Sequence, residues 1–299
     1  MIVRDKPGVL QLLFAVRGSV LPHIAPELLF VAAFSAAVVA LDHYVVPLPH
    51  VQAAPLAVFG VALSLFLGFR NNAAYDRWWE ARRLWGGLLA DTRSLAREAD
   101  LFLADDAARL ATLRLTRVFL HLHRAHLRGI AGDPVAISLS AAEGLTGAHP
   151  LPPDAALDAM NRVLTAAHRG GTLDGFGARA LSARLGSLAL AQAGCERIRA
   201  TPLPYVYSLL IFRTSWLYCL LLPFALIEPT GWLTPLFAVI VAYTFFGLAE
   251  VTEELAHPFG TTANALPLDA ICRTAEISLA PHLGEVPPPP LQPTDYRLD

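Results

Sequence analysis

The feature that most constrains the fold is residues 53–85, AAPLAVFGVALSLFLGFRNNAAYDRWWEARRLW. No charged residue occurs from Ala53 to Phe69, which is nearly enough residues for a helix to cross the hydrocarbon of a bilayer. The chain then becomes polar at Arg70, and neither Gly nor Pro follows at a position that would stop a helix. The stretch therefore predicts a single helix that crosses lipid and continues into water.

An apolar row lies on this predicted helix. Val61, Leu65 and Phe69 follow one another at intervals of four residues, so they share one face with a drift of roughly 40° per step. If several copies surrounded an axis, the row would form an apolar constriction that gates by dewetting. Asn71 and Asn72 follow the row and predict a wet exit from such a passage. Apolar rows also arise by chance in membrane helices, so the pattern alone does not establish a pore.

The composition is that of a membrane protein with a soluble part. Hydrophobic residues make up 55% of the chain and charged residues 16%, against roughly 25% charged residues in soluble domains. The apolar residues concentrate in two blocks, 24–69 and 203–249, with a more polar stretch between them. The net charge of −2 argues against a nucleic-acid partner.

Four membrane spans are predicted. Residues 22–27 open the first span, which runs over 28–46 and is long enough to cross a bilayer. The second is the helix described above, the third covers 208–227 and the fourth covers 233–249. The fold class predicted is therefore an all-α membrane protein with four transmembrane helices and a cytosolic helical bundle.

The predicted spans divide the chain into four segments. Residues 1–75 form an N-terminal membrane part, whose residues 9–16 predict an amphipathic helix on the membrane surface. Residues 76–200 are expected to form the helical bundle, and residues 201–250 the last two spans. Residues 251–299 are expected to form a C-terminal cytosolic segment.

Helices in the bundle are predicted at 76–100, 106–129, 154–168 and 174–199. The stretch between Gly129 and Pro153 is predicted to be a loop.

The distribution of basic residues predicts the orientation. The connectors 47–52 and 228–231 contain neither Lys nor Arg, whereas the opposite flanks are basic. The basic flanking residues are Arg4, Lys6, Arg17, Arg70, Arg77, Arg82, Arg83, Arg197 and Arg199. Both termini and the middle of the chain are therefore expected on the cytoplasmic side. Because nearly all positive charge is arginine, as in GC-rich bacterial genomes, the expected location is a bacterial inner membrane.

Two groups of titratable residues contain the residue types of metal ligands. His121, His123 and His126 have no carboxylate at a useful spacing, so they are interpreted as a polar helix face. Residues 250–254 contain three glutamates, with one Glu-x-x-His pattern ending at His257 and no second copy. These glutamates are interpreted as carboxylates at the membrane boundary that pair with arginines. No metal and no cofactor is expected.

The three cysteines, Cys195, Cys219 and Cys272, are far apart in the chain, form no metal-binding spacing and are interpreted as packing residues. No nucleotide-binding or hydrolase motif is present, so an enzyme is not expected.

Three stretches together resemble the bacterial branch of the bestrophin family. They are GFRNNAAYDRWWEARRLWG at 68–86, CERIRATPLPYVYSLLIFR at 195–213 and EELAHPFGTTANALPLDAI at 253–271. The resemblance covers nearly the whole chain. It implies a homopentameric ion channel in membrane lipid, with a single pore, an apolar neck and a wide cytosolic vestibule.

The resemblance also implies roles for individual residues. The neck positions match Val61, Leu65 and Phe69, and Ile198 best matches a second constriction at the cytosolic mouth. The permeant ions implied are inorganic, either chloride or monovalent cations. Residues 261–265, TTANA, replace the acidic cluster of the calcium-activated members, so no calcium gating through this segment is expected.

Two other kinds of function remain open from the residues alone, namely a helical membrane transporter and a membrane-bound enzyme. A transporter would be expected to show an inverted repeat with broken helices, and neither is visible. An enzyme would need convergent titratable groups in the apolar blocks, where only Arg213 lies deep.

Overall fold

The structure is a computed structural model that describes residues 1–3, 8–9, 11, 15–16, 18–147 and 149–299. Over these residues the regular structure is helical, apart from isolated β-bridges of Arg297 with Ile2 and Thr294. The helices are α1 (Leu21–Tyr44), α2 (Ala53–Phe102), α3 (Asp106–Arg128), α4 (Pro134–Ala142), α5 (Pro152–Arg169), α6 (Gly175–Ala200), α7 (Tyr205–Thr230), α8 (Thr234–Ala256) and α9 (Leu268–Leu283). The predicted amphipathic helix at 9–16 falls largely outside the described residues.

Helix α2 is continuous for 50 residues, which confirms the predicted helix that passes from an apolar into a polar sequence. Its only proline, Pro55, lies in the first turn, where the missing N–H would have no partner in the helix. The glycines inside it cost some helix propensity without interrupting the hydrogen bonds of the backbone.

The all-α membrane fold is confirmed. Helices α1 and α2 and the stretch Tyr205–Ala256 are each long and apolar enough to cross a membrane. The last stretch contains α7 and α8, joined by a short 3-10 turn at Gly231–Leu233. Gly231 has a φ of 51°, a left-handed conformation that favours glycine, and it lets the chain turn between the two spans.

Two of the spans are longer than their apolar sequences predict. Helix α7 begins three residues early and continues through Pro223 and Pro229, and α8 runs past the apolar block to Ala256. A helix is not obliged to end where its apolar sequence ends, because its backbone groups bond to one another within the helix on either side of that point.

The chain divides into two compact units. The first, called here the membrane unit, comprises the segment ending at Trp78 together with Pro202–His257. Its core is built from one face of each of the four spans. The core residues include Ile24, Leu28, Val31, Leu63, Leu67, Ile211, Cys219, Leu222, Ala238, Ala242 and Phe245.

The second unit, called here the helical unit, comprises residues 1–3, Trp79–Thr201 and Pro258–Asp299. Its largest fully buried side chains include Trp85, Phe119 and Leu113. Arg124 is buried and forms ion pairs with Asp133 and Asp269. The last residues of the chain return to its beginning, where Leu298 N donates to Met1 O over 2.9 Å.

The predicted loop between Gly129 and Pro153 is wrong in part, because it contains α4. Asp133 caps this helix by accepting a hydrogen bond from Ala136 N over 2.8 Å, and Pro134 occupies the first helical position. An aspartate followed by a proline is a helix-start signal that the sequence offered.

The interpretation of the α3 histidines as a polar helix face is wrong for two of the three. His121 is 5% exposed and lies 2.8 Å from Glu276, and His123 is 0% exposed. Burial raises the pKa of Glu276, but its contacts with His121 and Arg273 outweigh this and lower it overall. The carboxylate that pairs with His121 lies on α9, far away in the sequence, so local spacing gave no sign of it.

The interpretation of the cysteines as packing residues is confirmed, since all three are free and buried. Burial raises the pKa of the Cys195 and Cys272 thiols to about 12, so both remain neutral and unreactive at ordinary pH.

Candidate pore surface on the second span

The apolar row is an open face of α2. Val61, Leu65 and Phe69 are 63%, 57% and 68% exposed in the single chain. The other side of the same helix is packed, since Leu63 and Leu67 are 3% and 0% exposed. The membrane unit therefore fixes which face of α2 points inward and leaves the predicted neck face free for water, lipid or another copy.

Polar residues continue this open face at its lower end. Asn72 lies roughly 20° around the helix from Val61 and is exposed. Asn71 points elsewhere, because its side-chain oxygen accepts a hydrogen bond from Thr252 Oγ1 on α8 over 3.4 Å. Of the two predicted exit residues, only Asn72 lies on the open face.

Small residues around the row have two different roles. A Cβ added to Gly60 would lie 2.8 Å from Tyr218 Oη, so Gly60 allows α7 of the same chain to approach closely. A Cβ added at Gly68 would meet nothing within 4 Å, and Ala62 is exposed. These two positions remain available for the close approach of a neighbouring helix.

A buried arginine fixes the orientation of α2 at the polar end of the row. Arg70 is 8% exposed, and its Nη2 donates to Glu253 Oε2 over 2.8 Å and to Ser208 Oγ over 2.9 Å. About two turns further on, Arg77 Nε donates to Ala256 O over 2.7 Å. The prediction that a glutamate at the end of α8 pairs with an arginine is confirmed for Glu253.

The other two glutamates at the end of α8 lie near His23. One ligand atom from each of His23, Glu250 and Glu254 lies within 4.8 Å of the others, and this is the one such group in the described part of the chain. His23 and Glu250 are 3.7 Å apart, a spacing that an ion pair accounts for without a metal.

The prediction for Ile198 concerns an assembly of several copies and stays a prediction; in the single chain its side chain is 3% exposed. Leu203, in the turn before α7, is partly exposed. Leu203 lines a cavity of about 410 Å³ in the membrane unit together with Phe69 and Tyr207.

The sequence as a whole matches a family model described as "Bacterial/Fungal Bestrophin protein" over residues 1–281. This chain belongs to the bestrophin family. The resemblance seen in its three motif stretches is thereby confirmed over nearly the full length.

Curated relatives of this bestrophin carry a common name. A voltage-dependent anion channel-forming protein of Mesorhizobium japonicum is 47% identical over 291 residues, which cover 96% of this chain and 94% of that protein. The voltage-dependent anion channel-forming protein YneE of Escherichia coli is 39% identical over 303 residues and covers all of both chains.

A solved structure shares the fold of this bestrophin. The crystal structure of a bacterial bestrophin homologue from Klebsiella pneumoniae aligns with a TM-score of 0.82 and 33% sequence identity. The alignment covers 88% of this chain and all of the other. The arrangement of helices described above is therefore that of a bacterial bestrophin.

Proposed function

We propose that this protein is a homopentameric channel that conducts inorganic anions passively through a pore lined by α2. The observation that carries the proposal is the exposed apolar row on α2, whose opposite face is buried in the core. The names of the relatives, anion channel-forming proteins, support the choice of anions.

The polar continuation of the row favours a wet surface over a lipid-facing one. A face that meets lipid tails and then headgroups typically ends in aromatic and basic residues. Here the row is followed on the same face by Asn72, an uncharged polar residue that suits water at the exit of a pore. Val61, Leu65 and Phe69 span about 12 Å along the helix axis, so they would form three stacked apolar rings.

We place a second constriction at the cytosolic mouth, with Ile198 as its first candidate and Leu203 as a second apolar candidate. Leu203 lies in the turn that leads into α7 and lines a cavity beside Phe69, the lowest residue of the row. This position puts an apolar side chain next to the point where ions would leave the neck.

The remaining parts of the chain fit the same proposal. The four spans lie in the lipid of a bacterial inner membrane, with both termini cytoplasmic as the basic flanks predict. Residues 76–200 of five copies form the vestibule through which ions reach the neck. The chain acts without chemistry and without a cofactor.

Single-channel recording in planar bilayers tests the neck. Leu65→Ala and Phe69→Ala each widen an apolar constriction, so each should raise the unitary conductance. Leu29→Ala and Phe237→Ala are the matched controls, because both residues are exposed and apolar but lie on α1 and α8. Conductance unchanged in the α2 variants, or raised equally in the controls, would remove the row from the pore.

The reversal potential under a KCl gradient tests the selectivity. An anion channel should reverse near the chloride equilibrium potential, whereas reversal near the potassium potential would assign the pore to monovalent cations. Solute uptake into proteoliposomes that is coupled to a second ion, without single-channel steps, would replace the channel with a transporter.

A further inference from the structure

A second cavity lies in the membrane unit, away from the apolar row of α2. It has a volume of about 460 Å³ and lies where the beginning of α1, the beginning of α7 and the end of α8 meet. A volume of this size is typical of sites that hold a small ligand.

Aromatic rings form one wall of this cavity. The rings of Phe212 and Trp216 are 6.2 Å apart, and those of Trp216 and Phe246 are 5.0 Å apart. Ile24 and Ile211 also contribute to the apolar lining. Such a wall offers both a surface for an apolar body and aromatic faces that attract a cation.

Several polar atoms at the cavity have no hydrogen-bond partner among the residues that the structure describes. Ser215 is 1% exposed and its hydroxyl has no partner there, although buried polar groups are nearly always paired. Within the same described residues, Glu27 Oε2 and Trp216 Nε1 are also buried without a partner. All three side chains line the cavity, and a bound molecule that donates hydrogen bonds would supply partners to Glu27 and Ser215.

The charges at the cavity favour a cation. The guanidinium of Arg70 is already neutralised by Glu253, at 2.8 Å. Glu27 and Glu250 remain, and His23, which is exposed, lies 3.7 Å from Glu250. Carboxylates beside aromatic rings are the arrangement that recognises an ammonium group.

We propose that this cavity binds an amphiphile that carries an ammonium group. The apolar body lies on the wall formed by Phe212, Trp216 and Phe246, and the ammonium donates to Glu27 and Glu250. Ser215 hydrogen-bonds the bound molecule. The cavity lies at the polar ends of three spans, where headgroups of lipids are found. The amphiphile is therefore either an aminophospholipid or a free alkylamine, and the two share the chemistry that is recognised.

Isothermal titration of the purified protein in a neutral detergent tests the proposal with four probes. Octylammonium is compared with octanol, which has the same chain without the charge. Dihexanoyl phosphatidylethanolamine is compared with its N-acetylated form, in which the ammonium is blocked. Each ammonium compound should bind at least about tenfold more tightly than its control, the factor expected of one charged hydrogen bond.

Variants locate the binding. Glu27→Gln should weaken binding of the ammonium compounds by about tenfold, and Ser215→Ala by about fivefold. Glu228→Gln is the matched control, because Glu228 is exposed near the opposite end of α7 and its loss should change nothing. Thermal melting without ligand checks that each variant is folded. If Glu27→Gln does not fold, the nearly isosteric Ser215→Ala still tests the proposal.

Tighter binding of both ammonium compounds than of their controls, or of either one alone, supports the proposal. Binding of the phosphatidylethanolamine indicates a lipid as the natural ligand, and binding of octylammonium indicates a free alkylamine. Equal affinity for octanol and octylammonium, or binding unaffected by Glu27→Gln and Ser215→Ala, would overturn it.

Discussion

The buried histidine of α3 should make the helical unit sensitive to acid. His123 lies between Trp85 and Phe119, with ring centroids 5.5 and 5.7 Å away and nearly parallel rings. Burial lowers the pKa of His123 from 6.5 to about 3, and the nearby His126 contributes in the same direction. Neither ring nitrogen has a hydrogen-bond partner among the described residues, so no acceptor there would stabilise the protonated ring.

The sign and size of the effect follow from proton linkage. The unfolded chain protonates His123 near pH 6.5, whereas the folded unit resists protonation until about pH 3. Folding therefore releases a proton between these pH values. The contribution of the neutral His123 to the free energy of unfolding is fully present above pH 6.5 and is lost as the pH falls toward 3. At about pH 5 the loss is about 2 kcal/mol, since each pKa unit is worth about 1.4 kcal/mol. For a unit of this size, that loss lowers the melting temperature by about 4–8 °C.

The assay compares melting temperatures at about pH 7.5 and about pH 5, read from tryptophan fluorescence. His123→Phe keeps an aromatic ring in the stack and removes the titrating group. The fall in melting temperature between the two pH values should therefore be smaller in this variant than in the wild type by about 4–8 °C. His149→Phe changes an exposed histidine and serves as the control. Other groups that respond to acid, such as Glu276 with its partners, cancel in the comparison. Equal falls in wild type and His123→Phe would refute the reasoning.

Two further predictions concern a pair of glycines and calcium. A Cβ at Gly177 would lie 2.6 Å from Phe102 Cβ, so Gly177→Ala should cost about 1–3 kcal/mol. A Cβ at Gly186 meets nothing within 4 Å, so Gly186→Ala should stabilise the same helix by about 0.5–1 kcal/mol. If the two variants shift the melting temperature in the same direction, this pair of predictions is contradicted. Residues 261–265 lack carboxylates, so isothermal titration should detect no micromolar calcium binding, and detecting it would reject the prediction.

Helical periodicity predicted part of the candidate site, namely the apolar row on α2. The spacing of Val61, Leu65 and Phe69 predicts a shared face, and the structure shows that this face is open while Leu67 on the other side is buried. Periodicity also separates Asn71 from Asn72, since adjacent helical residues point about 100° apart. Only the structure shows what Asn71 meets, namely Thr252 on α8, about 180 residues later.

Burial of single residues is what local spacing misses. The spacing predicts a polar surface for His121 and His123, yet His121 contacts a carboxylate on α9 and His123 lies between the rings of Trp85 and Phe119. Phe119 lies one turn away on the same helix, but Glu276 and Trp85 come from distant parts of the chain.

The sequence by itself determined the number of spans and the unbroken run of α2. Both depend on how many consecutive residues are apolar and on where helix-breaking residues occur, which are local properties along one dimension. The tertiary structure alone decided which side of α2 is packed, that Arg70 pairs with Glu253, and that a cavity with unpaired polar atoms lies beside Ser215. Those outcomes depend on which distant segment packs against each side chain, and the identity of that segment is not a property of the local sequence.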